Sequence, residues 1–286
     1  MIIGIVGNYR KDDFYDIINT ISDNFIDLEG GPKFIISDDY KHRAEHKMSI
    51  TIESYSFDYI VSQSDIIIAI GGDGTILSTI RRMGSCDKPI LGIHIGGLGF
   101  LSGCNSDNLV ESINFLINDN YKVEQRLLLD VFIGNEKYTA LNDVVIDKGA
   151  SSRLIRLKVS IDDLLLNNYE SDGIIISSPT GSTAYSLSAG GPIVSYDVDG
   201  IILTPLSSHS LSARPIVLSV DKSIFITVYN QNNHFAVTMD GQVRVDCECD
   251  TEITVKKSSK FVDIIRIEDD YYSTLRKKMG WAGNLS

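Results

Sequence analysis

The 286-residue chain carries 26 Lys and Arg against 38 Asp and Glu, a net charge of −12, and 43% of its residues are hydrophobic. This composition excludes a disordered or fibrous chain, and the length predicts two domains. The acidity argues against a nucleic-acid partner, because gripping a polyanion requires clustered cations; an anionic ligand would need backbone amides, helix N-termini or a metal.

The first 120 residues alternate β-branched runs with helical patterns, which predicts a Rossmann-like α/β domain with a mostly parallel sheet. The predicted strands are 2–6, 34–36, 66–70 and 90–95. One helix follows Asp12 and Asp13, which can cap its first turn, and its apolar face comprises Phe14, Ile17, Ile18, Ile21 and Phe25. A second helix is predicted from Asn108, with Glu111 as a capping box and an apolar face of Val110, Ile113, Leu116 and Ile117. Residues 37–58 show no clear period.

From about residue 121 the pattern changes to strand-like runs spaced by about 10–12 residues, which predicts an all-β C-terminal domain. These runs cover 138–146, 154–161, 173–177, 224–229, 235–239 and 252–255. Residues 270–278 look helical and basic, and we expect Trp281 to dock as an aromatic anchor. The predicted domains are therefore 1–120 and 121–265, with a tail, 266–286, that packs back on the first domain.

The sequence shows neither a leader nor a membrane span. Its apolar start stops at Asn8, and no apolar run approaches the ~20 residues that a spanning helix needs. We therefore expect a cytoplasmic protein without a membrane partner. The cysteines lack the paired C-x-x-C spacing of zinc sites, so reduced, unligated thiols are expected at Cys86, Cys104, Cys247 and Cys249.

A glycine-rich turn follows the predicted strand 66–70. Its residues are Gly71, Gly72, Asp73, Gly74 and Thr75. Glycines let the backbone approach an anion, and the N–H groups of the helix that follows point to the same place, as in phosphate-binding loops. Asp73 would repel a phosphate unless it accepts a hydroxyl proton or holds Mg²⁺ through water. The alternative is a tight turn in which Asp73 caps the helix.

A second glycine-rich segment, 92–101, follows the next strand. Its glycines indicate that the backbone comes close either to a ligand or to the first glycine turn. His94 lies among apolar residues in this segment, and we expect a hydrogen-bonded structural histidine there.

Residues 170–192 combine small hydroxyl side chains, glycines and Tyr185 after another predicted strand. Hydroxyls, amides and an aromatic ring suit a flat, polar ligand such as a nucleoside. A serine nucleophile is the alternative, although the run 180–184 (TGSTA) lacks the second glycine of a nucleophile elbow.

Motifs in a fixed order carry a family resemblance. They are 71–75 (GGDGT), 96–101 (GGLGFL), 140–145 (ALNDVV), 172–192, 203–205 (LTP), 209–212 (HSLS), 214–217 (RPIV), 240–242 (DGQ) and 275–281 (LRKKMGW). Together they resemble the bacterial NAD kinases. GGDGT alone is shared with diacylglycerol and sphingosine kinases, whereas the run 179–185 (PTGSTAY) after Asp172 is highly specific.

The resemblance implies transfer of the γ-phosphoryl group of ATP to the 2′-hydroxyl of the adenosine ribose of NAD, with a divalent metal, Mg²⁺, as cofactor. It also implies a homo-oligomer, commonly a tetramer. Asp73 would be the proton acceptor, while Asn142 and Asp143 would hold the ribose and adenine side of NAD and Asp172 a second polar edge. The implied nucleotide-binding residues are Gly72, Gly74, Phe100, Asn142, Asp143, Arg153, Asp172, Thr180, Thr183, Ala184, Tyr185, Ser186, Leu187, Ser188 and Gln242.

The chain departs from the family pattern at a few positions. Asp143 stands where the family usually has Glu, one methylene longer, and His94 where it often has Asn. Glu170 occupies a position that is often basic or small, which bears on discrimination between NAD and NADH. Arg153 falls where some members place a dinucleotide contact.

Two other functions remain open at this level. A lipid kinase could share the glycine turn, but it must meet a membrane, and the sequence has no evident basic amphipathic helix for that purpose. A nucleotide sensor without turnover is the other alternative; retention of both Asp73 and the hydroxyl-rich run argues against it.

Overall fold

The computed structural model describes residues 1–26, 28–42, 52–84, 87–96, 99–151, 153–208, 212–229, 234–249, 251–267 and 271–281. The chain divides into two compact units. Unit 1 comprises Met1–Gln125 together with Val262–Ser286, and unit 2 comprises Arg126–Phe261. Unit 1 is therefore discontinuous in sequence, whereas unit 2 is one stretch of chain.

The strands are β1 (Ile2–Gly7), β2 (Lys33–Ser37), β3 (Glu53–Tyr55), β4 (Ile66–Gly71), β5 (Ile90–His94), β6 (Cys104–Asn105), β7 (Lys122–Ile133), β8 (Glu136–Ala140), β9 (Asp143–Asp147), β10 (Ile155–Ile161), β11 (Leu164–Ser171), β12 (Gly173–Ser177), β13 (Gly200–Leu206), β14 (Ile216–Ser219), β15 (Ile224–Tyr229), β16 (His234–Met239), β17 (Val243–Glu248) and β18 (Ile253–Arg266). The α-helices are α1 (Asp12–Phe25), α2 (Phe57–Gln63), α3 (Asp73–Met83), α4 (Leu109–Ile117), α5 (Tyr185–Ser188) and α6 (Tyr271–Met279). Short 3₁₀ helices cover Asp38–His42, Ser106–Asn108 and Thr180–Thr183.

Unit 1 is built on a parallel sheet in the order β3-β2-β1-β4-β5, with β6 and the end of β18 also paired to β5. Strands β4 and β5 are buried along their whole length, as expected for a parallel sheet covered on both faces. Pairing of Gly71 with His94 brings the carboxyl ends of β4 and β5 to the same edge. The two glycine-rich segments therefore leave the sheet side by side, where ligands bind in open α/β folds.

The helices of unit 1 differ from the sequence predictions at their starts. Lys11 is the N-cap residue of α1 and makes no side-chain cap bond, so Asp12 and Asp13 contribute acidic charge in the first turn instead of a cap. Helix α4 has no side-chain cap, so the predicted capping box is wrong. The 3₁₀ turn Ser106–Asn108 precedes α4, which buries Leu109 and leaves Val110 36% exposed.

Unit 2 contains two antiparallel sheets. One has the order β14-β13-β12-β9-β16-β17; the other includes β11-β10-β15-β18 and the hairpin β7-β8. Alternate residues of both sheets form a single core, for example Val144 and Ile146 of one sheet with Leu157 and Val159 of the other. The predicted α/β and β classes are confirmed.

Several predicted strands of unit 2 differ in extent. The run 138–146 is divided into β8 and β9, because residues 141–142 turn the chain between sheets. The run 252–255 is only the beginning of β18, which continues to Arg266. No regular alternation of apolar residues marks the full length of β18, because its burial pattern is irregular.

The C-terminal helix forms as α6, but Trp281 does not dock within its unit. Its side chain is 58% exposed, so the predicted aromatic anchor is wrong for the described chain. Cys104, Cys247 and Cys249 are free thiols, and Cys86 lies outside the described residues. Over the part of the chain that the structure describes, no helix is both long and apolar enough to cross a membrane.

Candidate functional site

The first glycine turn joins β4 directly to α3. Gly72 is the N-cap residue, with extended backbone at φ −93° and ψ −178°, and Asp73 is the first residue of the helix. The alternative in which Asp73 caps this helix is therefore wrong. Since α3 has 11 residues, its N-terminal N–H groups and its dipole favour an anion beside Gly72.

The Asp73 carboxylate holds the second glycine segment. Its Oδ2 accepts a hydrogen bond from the backbone N–H of Phe100 at 2.9 Å, and its Oδ1 accepts one from Leu101 at 3.1 Å. A Cβ added to Gly99 would lie 2.1 Å from Oδ1, so only glycine permits this approach. The two glycine segments do cross, and Asp73 is the point of contact.

Arg266, near the end of β18, holds the same segment from another side. Its guanidinium donates to the carbonyl oxygens of Phe100 and Ser102, and its Nε bonds Oε2 of Glu124 at 2.9 Å. The side chains of Arg266 and Glu124 are only 5% and 9% exposed. Neither residue belongs to a recognisable motif, so sequence analysis missed this support.

The backbone beside Asp73 leaves room for a ligand. A Cβ added to Gly72 or Gly96 would meet no described atom within 4 Å, and Gly96 has a φ of 99°, which favours glycine. Lys11 donates to the carbonyl of Ile95 at 3.5 Å, and the ammonium of Lys278 lies 5.8 Å from the centre of the Phe100 ring. These two cations were also missed in the sequence.

His94 does not have the hydrogen bond that the sequence analysis expected. Its side chain is 6% exposed, and neither ring nitrogen has a hydrogen-bond partner in the described structure. Burial lowers the pKa of His94, and Lys278 and Lys11 act in the same direction, whereas Asp73 opposes them. The imidazole is therefore neutral at physiological pH.

In unit 2, the Asn142–Asp143 turn is held by Asp240. The Asp240 carboxylate accepts hydrogen bonds from the backbone N–H groups of Leu141 at 3.0 Å, Asn142 at 2.7 Å and Asp143 at 3.2 Å. Gly181 packs directly on this turn, since an added Cβ would lie 2.1 Å from the Asn142 carbonyl oxygen. The structure thus brings the ALNDVV, TGSTAY and DGQ motifs together.

Asp143 itself is deeply buried in this cluster. Its side chain is 4% exposed, and burial, with a further contribution from Asp240, raises its pKa to about 7. A backbone hydrogen bond from Tyr185 lowers the pKa but does not offset burial. A half-protonated carboxyl at neutral pH can donate as well as accept a hydrogen bond.

The hydroxyl-rich segment is divided between internal and accessible side chains. Ser186 is buried and its Oγ lies 2.9 Å from Oγ1 of Thr204, so this hydroxyl serves the fold. Thr180 is also buried, and its Oγ1 has no partner in the described structure. Tyr185 is 48% exposed. The other predicted binding residues of the segment are intermediate or exposed, namely Thr183, Ala184, Leu187 and Ser188.

Asp172 lies at the other end of β12 from this cluster. Ser177 pairs with Asp143, whereas Gly173 pairs with Asp147, which puts Asp172 about 17 Å from the Asn142–Asp143 turn within unit 2. Its carboxylate forms an ion pair with Lys148 at 2.6 Å. Two further predicted residues, Arg153 and Gln242, are exposed in their own loops.

Comparison with known proteins decides the family. A model described as the ATP-NAD kinase N-terminal domain matches residues 3–121, and one described as the ATP-NAD kinase C-terminal domain matches residues 141–267. The chain belongs to the ATP-NAD kinase family. The family resemblance predicted from the motifs is therefore confirmed.

Members of the ATP-NAD kinase family match most of the chain. An NAD kinase of Acetivibrio thermocellus is 38% identical over 284 residues, which cover 97% of this chain and 96% of that protein. An NAD kinase of Heliobacterium modesticaldum is 41% identical over 223 residues, covering 76% of this chain and 79% of that protein. A crystal structure of yeast NADH kinase complexed with NADH has the same fold, with a TM-score of 0.87 at 24% identity, covering 100% of this chain and 89% of that chain.

Proposed function

We propose that the protein is an NAD kinase, which transfers the γ-phosphoryl group of ATP to the 2′-hydroxyl of the adenosine ribose of NAD and releases NADP and ADP. Membership of the ATP-NAD kinase family over both domain models carries this proposal. The geometry around Asp73 supports it, because a fixed carboxylate stands beside an open helix N-terminus.

Asp73 is the proton acceptor in this proposal. Its two oxygens offer about four acceptor positions, of which the Phe100 and Leu101 amides use two, so a ribose hydroxyl can still bind. A carboxylate is a weak base for such a hydroxyl and takes the proton late, as the bond to phosphorus forms. General base catalysis then contributes about 10²–10⁴-fold, and positioning contributes most of the remaining acceleration.

The phosphates of the donor lie against Gly72, Gly74 and the start of α3 in this proposal, with Phe100 beside them. A divalent metal such as Mg²⁺ would supply charge neutralisation on the phosphoryl oxygens. Among the described residues no group of three or more His, Cys, Asp or Glu side chains could hold a metal ion. Such an ion would be carried largely by the nucleotide, with Asp73 as a nearby carboxylate.

NAD is held by unit 2 residues in the same proposal. Asn142 and Asp143 bind the ribose and adenine side from the turn fixed by Asp240, and 183–188 line the dinucleotide with Tyr185 as its exposed ring. The contribution of Ser186 is indirect, since its hydroxyl is paired with Thr204. Asp172 binds a second polar edge, Arg153 makes a dinucleotide contact, and Thr180 and Gln242 complete the predicted set.

The proposal also covers the domains, the cellular location and the oligomeric state. In this proposal the α/β domain, predicted as 1–120, binds the donor and the β domain, predicted as 121–265, binds NAD, with the predicted tail 266–286 packed on the first domain. The enzyme is proposed to be a homotetramer, as the family resemblance implies, and to be cytoplasmic, as expected from the sequence.

A donor and acceptor matrix tests the activity. ATP, GTP and polyphosphate are each combined with NAD or NADH in the presence of Mg²⁺, and NADP(H) is measured with a coupled dehydrogenase. We expect NADP from ATP and NAD. Binding of NAD without any NADP(H) would indicate a sensor, and phosphorylation of a lipid in vesicles instead would indicate a lipid kinase.

A further inference from the structure

His94 faces the side of the sheet on which α3 begins. Side chains alternate along a strand, so His94 points the same way as Gly92 and opposite to Ile93. A Cβ added to Gly92 would lie 2.4 Å from Cδ1 of Ile76 in α3, whereas Ile93 belongs to the core that contains α1 and α4. His94 lies two residues closer to the carboxyl end of β5 than Gly92, and it pairs with Gly71 at the end of β4. Its imidazole therefore lies beside the first glycine turn.

Two buried nitrogens without partners require an explanation at this position. A buried polar group that loses its hydrogen bonds to water destabilises the folded state, and native proteins rarely keep one unless a ligand or water satisfies it. An apolar side chain of similar volume would avoid that penalty. Asp73 does not satisfy the imidazole, since its oxygens bond the Phe100 and Leu101 amides.

The charges around the imidazole suit an anionic partner. Asp73 from α3, Lys278 from α6 and Lys11 at the start of α1 are the charged groups that face it. The two cations and the α3 N-terminus favour an anion, while burial keeps the ring neutral with one N–H available to donate.

We propose that His94 is a positioning residue of the nucleotide site, whose neutral imidazole donates a hydrogen bond to a phosphate oxygen of ATP bound at the Gly71–Gly74 turn. The inference rests on the proposed function and adds a residue to it. In the described structure the same ring has no hydrogen-bond partner. His94 therefore lowers stability without ligand and strengthens ATP binding.

Substitution by Leu separates this role from a structural one. For His94→Leu we expect an unchanged or higher Tm without ligand, about 10- to 100-fold weaker ATP binding by calorimetry, and a higher KM for ATP with kcat changed far less. His94→Gln, which keeps a neutral donor, is expected to restore ATP binding to within about threefold. A lower Tm with unchanged ATP affinity in His94→Leu would overturn the inference.

Ser64 provides a matched control. It is fully buried and its Oγ has no partner among the described residues, but it precedes β4 and so lies at the opposite edge of the sheet from the glycine turns. Ser64→Ala is expected to leave Tm unchanged or higher and ATP affinity unchanged. An equal loss of ATP affinity in Ser64→Ala would also overturn the inference, because the effect would then not belong to the site.

A measurement on the wild-type protein covers the case in which His94→Leu does not fold. With isotope-labelled histidine, the ring resonances of His94, assigned through His94→Gln, should shift on addition of ATP and Mg²⁺ and remain those of a neutral ring. Unshifted resonances at saturating ATP would overturn the inference. Absence of NADP formation by the wild type is a different result, which would refute the proposed function instead.

Discussion

Asp73 carries both the loop contact and the proposed proton transfer. In Asp73→Asn one acceptor oxygen becomes an NH₂ group, so either the Phe100 or the Leu101 amide loses its partner. We expect the free energy of unfolding to fall by about 1–3 kcal/mol and kcat to fall by about 10²–10⁴-fold. Urea unfolding and steady-state kinetics measure the two effects. A folded variant with kcat within tenfold of wild type would leave Asp73 as a loop-holding residue alone.

Asp143 predicts a pH dependence of stability. Its pKa is raised from 3.8 to about 7, so the protonated form stabilises the fold fully below about pH 4 and this contribution is lost as the pH rises through 7. The contribution is on the order of 4 kcal/mol, since one pKa unit corresponds to about 1.4 kcal/mol. Asp143→Asn should remove that dependence between pH 4 and 8 in urea titrations. The surface control Asp163→Asn should keep the wild-type profile; if both variants keep it, the carboxyl is not held neutral by burial.

At the scale of elements, the end of β18 fixes the segment that Asp73 contacts. Arg266→Met removes the guanidinium that pairs with buried Glu124 and takes two donors from loop carbonyls. The expected loss is about 3–5 kcal/mol in the free energy of unfolding, as for other broken buried pairs. Lys222→Met is the matched control, because its pair with Asp162 is about half exposed and contributes little to stability. Equal losses in the two variants would contradict the loop-holding role of Arg266.

The helices and strands also show which features of the fold can be predicted from local sequence. The buried runs that became β4 and β5, and the helix phase of α1, follow from periodicity because packing on both sides repeats with the same period. The buried face of α4 did not follow from periodicity, because a 3₁₀ turn shifted the start of the helix. Leu109 is therefore buried in place of Val110. The length of β18 is equally hidden, because its burial does not alternate.

The candidate site could likewise be predicted only in part. Its glycines and Asp73 are visible as a motif, and so is the Asn142–Asp143 turn. The bonds that hold them join residues 27 apart at Phe100 and 98 apart at Asn142, so no local pattern reveals them. His94 was expected to be satisfied because most buried histidines are, and only the tertiary structure shows its nitrogens without partners.

For the whole molecule, a net charge of −12 is compatible with phosphate ligands because the phosphate site depends on local groups. The α3 N-terminus, Lys11 and Lys278 lie beside the glycine turns, and the Asp73 carboxylate is occupied by backbone amides. At 0.15 M salt, exposed charges more than about 8 Å away are largely screened, so these neighbours outweigh the global charge.

The discontinuity of unit 1 gives a prediction for the whole chain. A chain ending at Phe261 lacks Ile264, which pairs with Ile90, the core residue Ile265, and Arg266 with α6. We expect amide protons of unit 1 to lose protection in hydrogen exchange and ATP binding to be lost, while those of unit 2 keep slow exchange, because unit 2 is contiguous and retains its core. Trp281→Ser, at an exposed side chain, should leave both units protected. Loss of protection throughout the truncated chain would instead show that the two units unfold as one cooperative structure.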